Sequence, residues 1–336
     1  MTDTILDVRD LRVEFPLSHG VLRAVDGASF DVRTGEALGL VGESGSGKTM
    51  ALRSLVGLLP RAARLAGGQV VFEGTDLAAA SPEKLREVRG RSISMIFQEP
   101  MTALNPVMRV GEQIGEGPLV RLGYSRRRAR ERALELMRMV GIADPDERAE
   151  AYPHELSGGM RQRVMIAIAL SMEPKLILCD EPTTALDVTI QDQILKLLLS
   201  LREQLQVSII FVSHDLAVIA QTCQRVAVMY AGQVIETGPV ETVFREPRHP
   251  YTLSLLRSVP DVDDVRETLS TIPGSPPDLA SPPPGCRFHP RCPFVQHDCV
   301  SGEFPLRSLG GGRATACIHH ELAVKDVRRE PVIADG

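Results

Sequence analysis

The run GESGSGKT spells Gly42-x-x-x-x-Gly47-Lys48-Thr49, with Ser44, Gly45 and Ser46 inside it. Glycines let a backbone turn sharply and present consecutive N–H groups, which phosphate oxygens accept. A lysine at this spacing brings a compact positive charge to the terminal phosphates of a nucleotide, and the Thr49 hydroxyl is a ligand for Mg²⁺. Far downstream, the apolar run LILCDE ends in Asp180 and Glu181. A strand placed beside the phosphate loop would set Asp180 near the metal and Glu181 where a water attacks the γ phosphate. A carboxylate there orients and partly deprotonates that water, an effect of about 10²–10⁴-fold. Between these two elements lies LSGGM, residues 156–160. Ser157 can cap the helix that follows, and the free N–H groups of Gly158 and Gly159 make an anion site.

These residues need particular elements to hold them. Ala37–Val41 is a short apolar run and reads as a buried parallel strand. Residues 50–59 read as a helix whose N-terminus faces the phosphates. Residues 93–97, 176–181 and 209–212 read as further strands, and 160–171 as the helix behind the serine cap. Ile190, Ile194, Leu197, Leu198, Leu201 and Leu205 make an apolar helical stripe. Arg225–Tyr230 and 233–237, joined at Ala231-Gly232, read as a hairpin.

Taken together, the motifs resemble those of the ATP-binding-cassette (ABC) ATPases over about residues 5–245. The resemblance implies an α/β fold: a P-loop core with an antiparallel β subdomain and an inserted helical subdomain. In that family the turn Ser157-Gly158-Gly159 serves the nucleotide of a partner subunit. The family spelling usually ends in glutamine where this chain has Met160. By the same resemblance Gln98 senses Mg²⁺ and the attacking water, Asp187 crosses the dimer seam, His214 holds the γ phosphate, and Phe15 stacks on adenine. Thr49, Gln98 and Asp180 then form the Mg²⁺ shell, while Glu181, His214 and Gln98 carry catalysis.

The organisation that follows is 1–98 as the first part of the core, with short strands alternating with turns. Residues 99–160 are the helical subdomain, 161–245 the second part of the core, and 246–336 a C-terminal extension. No repeated cassette is visible, so a two-cassette site needs a second chain. At 336 residues and 43% apolar content the chain supports a large core, and no apolar run reaches the length of a membrane span. The start, MTDTILDVRD, lacks the features of a signal peptide. A net charge of −5 argues against a general nucleic-acid binder. The basic cluster at 126–132 reads as a solvated helix face.

The extension narrows the class further. The segment QEPMTALNP, 98–106, resembles the Q-loop region of peptide and nickel importer ATPases, and His249-Pro250-Tyr251-Thr252 opens a tail resembling that of oligopeptide and dipeptide transporter ATPases. A proline-rich strap runs through Pro273, Pro276, Pro277, Pro282, Pro283 and Pro284. Then come Cys286-x₅-Cys292-x₆-Cys299 and Cys317, four of the six cysteines. Four thiolates can hold zinc or an iron–sulfur cluster. The spacing lacks the close cysteine pair usual for zinc, and the resemblance implies a [4Fe–4S] cluster. Zinc stays open, with His289, His297, His319 and His320 as substitute ligands.

The expected partners are a second ABC ATPase subunit, a paralogue in a heterodimer, two membrane permease subunits and an extracytoplasmic solute-binding protein, with no nucleic acid. The expected location is the cytoplasmic face of the membrane and the expected task peptide import. Import of nickel or another small solute, or a soluble ABC ATPase acting on nucleic acid, is the alternative.

Overall fold

A computed structural model describes residues 4–99, 103–184, 186–258 and 272–327. Pro100, Met101 and Thr102 of the Q-loop segment and Ala185 lie outside the described residues. The chain forms two compact units: one takes 1–33, 37–79 and 212–336, the other 34–36 and 80–211.

The first unit opens with β1 (Thr4–Leu17) and β2 (Gly20–Arg33), an antiparallel pair joined through Leu17 and Gly20. Their length corrects the expectation of short strands. The apolar alternation of β1 is interrupted by a register shift between Val8 and Leu11, where Asp10 turns to φ 48°. A bulge breaks the period-2 pattern without ending the ladder. Next come β3 (Ala37–Val41), buried throughout, β4 (Arg64–Phe72) and β5 (Thr75–Asp76). One sheet runs β2-β1-β4-β5.

The helix after β3 is Lys48–Ser54, earlier and shorter than 50–59. Its stop is chemical. Gly57 (φ 64°) donates its N–H to the Ser54 carbonyl and Leu58 donates to that of Arg53. This pair of bonds closes a helix around a left-handed glycine.

The second unit carries β6 (Ile93–Ile96) and β7 (Leu176–Asp180), paired in parallel, then β8 (Ser208–Ser213), along which the chain returns to the first unit. Helices Val110–Arg121, Arg126–Met139 and Gly158–Leu170 pack together between β6 and β7 in the chain. Ser125 caps the arginine-rich helix by accepting from Arg128 N at 3.3 Å. Ala129, Ala133, Leu134, Leu136 and Met137 face inward, while Arg127 and Arg130 pair outward with Glu131 and Glu150. On helix Val188–Leu205 the buried face is Ile194, Leu195, Leu198 and Leu201, and Leu205 is exposed. The expected stripe thus drifts around the helix, taking in Leu195.

Back in the first unit, β9 (Arg225–Tyr230) and β10 (Gln233–Pro239) form the expected hairpin, and β11 (Arg307–Gly310) and β12 (Arg313–Thr315) extend it. The order is β11-β12-β10-β9-β3, with β3 parallel to β9. β3 therefore sits against a braced hairpin, and the phosphate loop leaves from its end. No described helix is long and apolar enough to cross a membrane.

Candidate functional site

In the first unit, the phosphate loop is shaped by glycines that nothing else can replace. Gly42 (φ 149°) would carry a Cβ 2.2 Å from the Met229 carbonyl oxygen, and Gly47 (φ 102°) one 2.3 Å from that of Ala24. Both contacts are to backbone, which cannot move aside. Lys48 Nζ folds over the loop, donating to the carbonyls of Gly42 at 2.7 Å and Glu43 at 3.0 Å. Ser46 is buried, and its hydroxyl has no hydrogen-bond partner among the described residues. An orphaned hydroxyl beside a held ammonium suits a phosphate group, because a buried donor without a partner is costly. Ser44 and Gly45 are exposed at the tip, and Thr49 is half-buried on the first helical turn. His214 is exposed at the end of β8, and Phe15 is half-buried on β1 opposite Leu22.

In the second unit, Asp180 is fully buried at the end of β7. Glu181 adopts φ 48°, an unusual backbone for a side chain with Cβ. Its carboxylate accepts from Gln98 Nε2 at 3.2 Å and from Thr184 Oγ1 at 2.9 Å. The fold thus brings Gln98 and Glu181 together. Thr184, three residues beyond Glu181, is a partner that the motif spacings do not name.

The signature turn lies in the same unit. Ser157 caps helix Gly158–Leu170 by accepting from Met160 N at 3.4 Å, and Ser157 and Gly158 are exposed. A Cβ on Gly159 would meet Ile190 Cγ2 at 2.8 Å, so this glycine also permits close helix packing. Asp187 caps helix Val188–Leu205, accepting from Ile190 N at 2.9 Å.

The four tail cysteines converge. Cys286, Cys292, Cys299 and Cys317 line one cavity with His249, Phe288, His289, Phe294 and His319. Cys286 N donates to the Cys299 carbonyl at 2.9 Å, which ties two of the cysteine loops together. Gly285 (φ 73°) makes this possible, since a Cβ there would lie 2.5 Å from Cys299 O. Burial pushes the Cys292 thiol up to about 11 and the Cys317 thiol up to about 12; Cys286 is raised for the same reason. A pocket lined by four cysteines and three histidines has a donor set that a metal group could use, and a bound cation would favour the thiolate form of its sulfur ligands. Among the described residues, the group of three potential ligand atoms lying within 4.8 Å of one another is that of Asp298, Cys299 and His319. A cubane spreads its sulfur ligands further apart than a single ion does, so this triad does not choose between the two metals.

Comparison with known proteins follows the same division. The ABC transporter family model matches residues 25–184, and that of the oligopeptide/dipeptide transporter C-terminal region matches 235–299. A putative peptide import ATP-binding protein of Brucella abortus (strain 2308) is 49% identical over 316 residues, 94% of this chain and 95% of the relative. The dipeptide transport ATP-binding protein of Bacillus subtilis (strain 168) is 50% identical over 292 residues, 87% of each. The chain belongs to the ABC transporter family. Within that family it is an ATP-binding subunit, and its reaction is ATP hydrolysis. A solved ABC cassette, dimeric in a post-hydrolysis state with ADP and Pi, superposes with a TM-score of 0.63 at 26% identity, covering 70% of this chain and 98% of the cassette. The fold expected from the motifs is the fold found.

Proposed function

We propose that this ABC ATPase energises the import of di- or oligopeptides across the cytoplasmic membrane, working on its cytoplasmic face. The observation that carries the reading is the tail: the peptide-transporter C-terminal region matches 235–299, which spans Cys286, Cys292 and Cys299. The partners are a second cassette, a paralogue of this one, two permease subunits and an extracytoplasmic peptide-binding protein.

In this reading Gly42, Ser44, Gly45, Ser46, Gly47 and Lys48 cradle the phosphates and Phe15 stacks on adenine. Thr49, Asp180 and Gln98 hold Mg²⁺, which supplies charge neutralisation at the β and γ phosphates. Glu181 orients the attacking water and takes its proton, with Gln98 and Thr184 fixing the carboxylate. His214 holds the γ phosphate. Ser157, Gly158, Gly159 and Asp187 serve the nucleotide on the partner cassette. ATP favours the closed dimer because its γ phosphate touches both cassettes, and hydrolysis removes that preference.

The four cysteines hold a [4Fe–4S] cluster in the same reading, with zinc as the alternative occupant of the same sulfurs. Bound there, the group would cross-link the tail's loops.

The test is co-expression with permease subunits and a second cassette, reconstitution into vesicles and assay with the binding protein. Peptide-loaded binding protein should raise ATP hydrolysis and drive peptide uptake. Stimulation by a nickel-loaded binding protein and none by peptide would overturn the peptide assignment.

A further inference from the structure

Two arginines of the tail, each next to a cysteine in sequence, reach the phosphate loop and the turn beside it. Arg291 precedes Cys292 and is 7% exposed. Its guanidinium grips Glu43, a residue of the loop itself, through two bonds of 2.8 and 3.0 Å. The remaining donors go to Tyr230 OH at 3.3 Å, Pro273 O at 2.8 Å and Ile272 O at 3.4 Å. All the donor positions of a guanidinium are thereby used. Such a planar fork holds a carboxylate in orientation as well as in place.

Glu43 is held at its other groups too. Its N–H donates to Tyr251 OH at 2.8 Å, and Tyr251 is a tail residue with no exposure. Its carbonyl accepts from Lys48 Nζ at 3.0 Å and from Ser46 N at 3.2 Å. Tyr251, Tyr230 and Phe288 pack ring against ring, with centroids 4.5, 5.3 and 5.4 Å apart.

The second arm starts at Arg287, which follows Cys286. This buried guanidinium donates to the Ala231 carbonyl and to Asp26 Oδ2. Ala231 leads into Gly232, whose N–H donates to the Ser46 carbonyl at 2.9 Å. One arm grips the loop directly and the other grips the turn on which the loop leans.

We infer that Arg291, supported by Arg287, is a positioning residue that lets the cysteine-bearing tail set the conformation of the phosphate loop, so that nucleotide binding and the order of the cysteine loops are linked. The inference rests on the nucleotide reading of that loop. Linkage between two sites is reciprocal: whatever the tail contributes to nucleotide affinity, nucleotide returns to the tail.

The experiment uses the full chain purified together with its partner cassette. ATP hydrolysis is measured for wild type, Arg291→Ala, Arg291→Lys, Arg291→Glu and the charge-reversed pair Glu43→Arg with Arg291→Glu. Amide hydrogen exchange of the 285–293 segment is followed with and without ATP and Mg²⁺. Arg291→Ala should raise KM for ATP by about tenfold, within the usual range of coupling between sites, with kcat changed far less. Arg291→Lys should fall between, because a lysine makes a point contact in place of the fork. The reversed pair should recover affinity relative to Arg291→Glu alone. ATP should slow exchange at 285–293 in wild type and not in Arg291→Ala. Should Arg291→Ala fail to fold, the lysine variant and the reversed pair carry the same comparison. Unchanged KM together with unchanged ATP-dependent protection in the folded variants overturns the inference. A wild-type chain that binds no ATP would instead remove the nucleotide reading beneath it.

Discussion

Gln98 donates its side-chain amide to the carboxylate of Glu181 across 3.2 Å, joining residues that lie 83 positions apart in the chain. Thr184 donates to the same oxygen at 2.9 Å. The carboxylate is therefore held in direction by two donors, which is what the general-base role proposed for it needs.

Replacing Glu181 by glutamine keeps the shape and removes the proton acceptor. Glu181→Gln should retain ATP binding and lose hydrolysis by about 10²-fold or more. Equilibrium binding and steady-state phosphate release measure the two halves separately. Hydrolysis near the wild-type rate would place the base elsewhere.

Lys48 already leans over the loop carbonyls of Gly42 and Glu43. On the proposed phosphate-binding role, Lys48→Ala removes the motif's positive charge, and nucleotide affinity should fall below detection in a titration with a fluorescent ATP analogue. Equal affinity in the variant would end the phosphate-cradle assignment.

Gly159→Ala places a methyl 2.8 Å from Ile190. Overpacking of this kind costs about 1–3 kcal/mol, so the melting temperature should drop. Ile190→Val in the same chain removes the opposing δ methyl without relieving the Cγ2 contact, whereas Ile190→Ala opens the space. Only the latter should recover part of the loss, which a thermal melt series reads directly.

The buried carboxyl of Glu236 accepts from the N–H groups of Arg248 and His249, at 2.7 and 2.9 Å. Burial pushes it up to about 7 from an ordinary 4.5. In that window the folded chain binds the proton more tightly than the unfolded chain. Its contribution to stability is full below about pH 4.5 and is lost as pH rises through 7. Glu236→Gln should therefore lose least, relative to wild type, near neutral pH and most in mild acid. Chemical denaturation at several pH values tests this, and a difference that does not change with pH contradicts it.

The cysteine site has its own readout. Protein purified without oxygen should carry iron and sulfide, absorb broadly in the blue and lose that colour in Cys286→Ser. One zinc per chain and no colour would select the alternative metal.

Much of this was legible in the chain because the chemistry demands particular residues at short, fixed spacings. Gly42 to Thr49, Asp180-Glu181 and Ser157 to Gly159 are local; β3 falls on the residues expected of it, and β7 stops one residue short of the expected 176–181, at Asp180. Position in the chain hid the rest. Arg291 and Glu43 are 248 residues apart, and nothing in the type of either names the other. β1 looked like short pieces because the bulge at Asp10 shifts its alternation. The helix after the loop read too long because its apolar residues continue past Gly57, where the carbonyls of Arg53 and Ser54 are already taken. The cysteines could be grouped by spacing, but that Cys317 joins the other three depends on the ladder between β10 and β12.

Glu181 occupies a left-handed backbone conformation that disfavours any residue with a Cβ by about 1 kcal/mol. A glycine would sit there at ease and would bring no carboxylate. On the role proposed for Glu181, thermal hardiness and turnover pull in opposite directions at a single codon. A laboratory lineage screened for heat tolerance alone would have a reason to discard the reaction, while one screened for growth on the imported solute would keep the strained backbone.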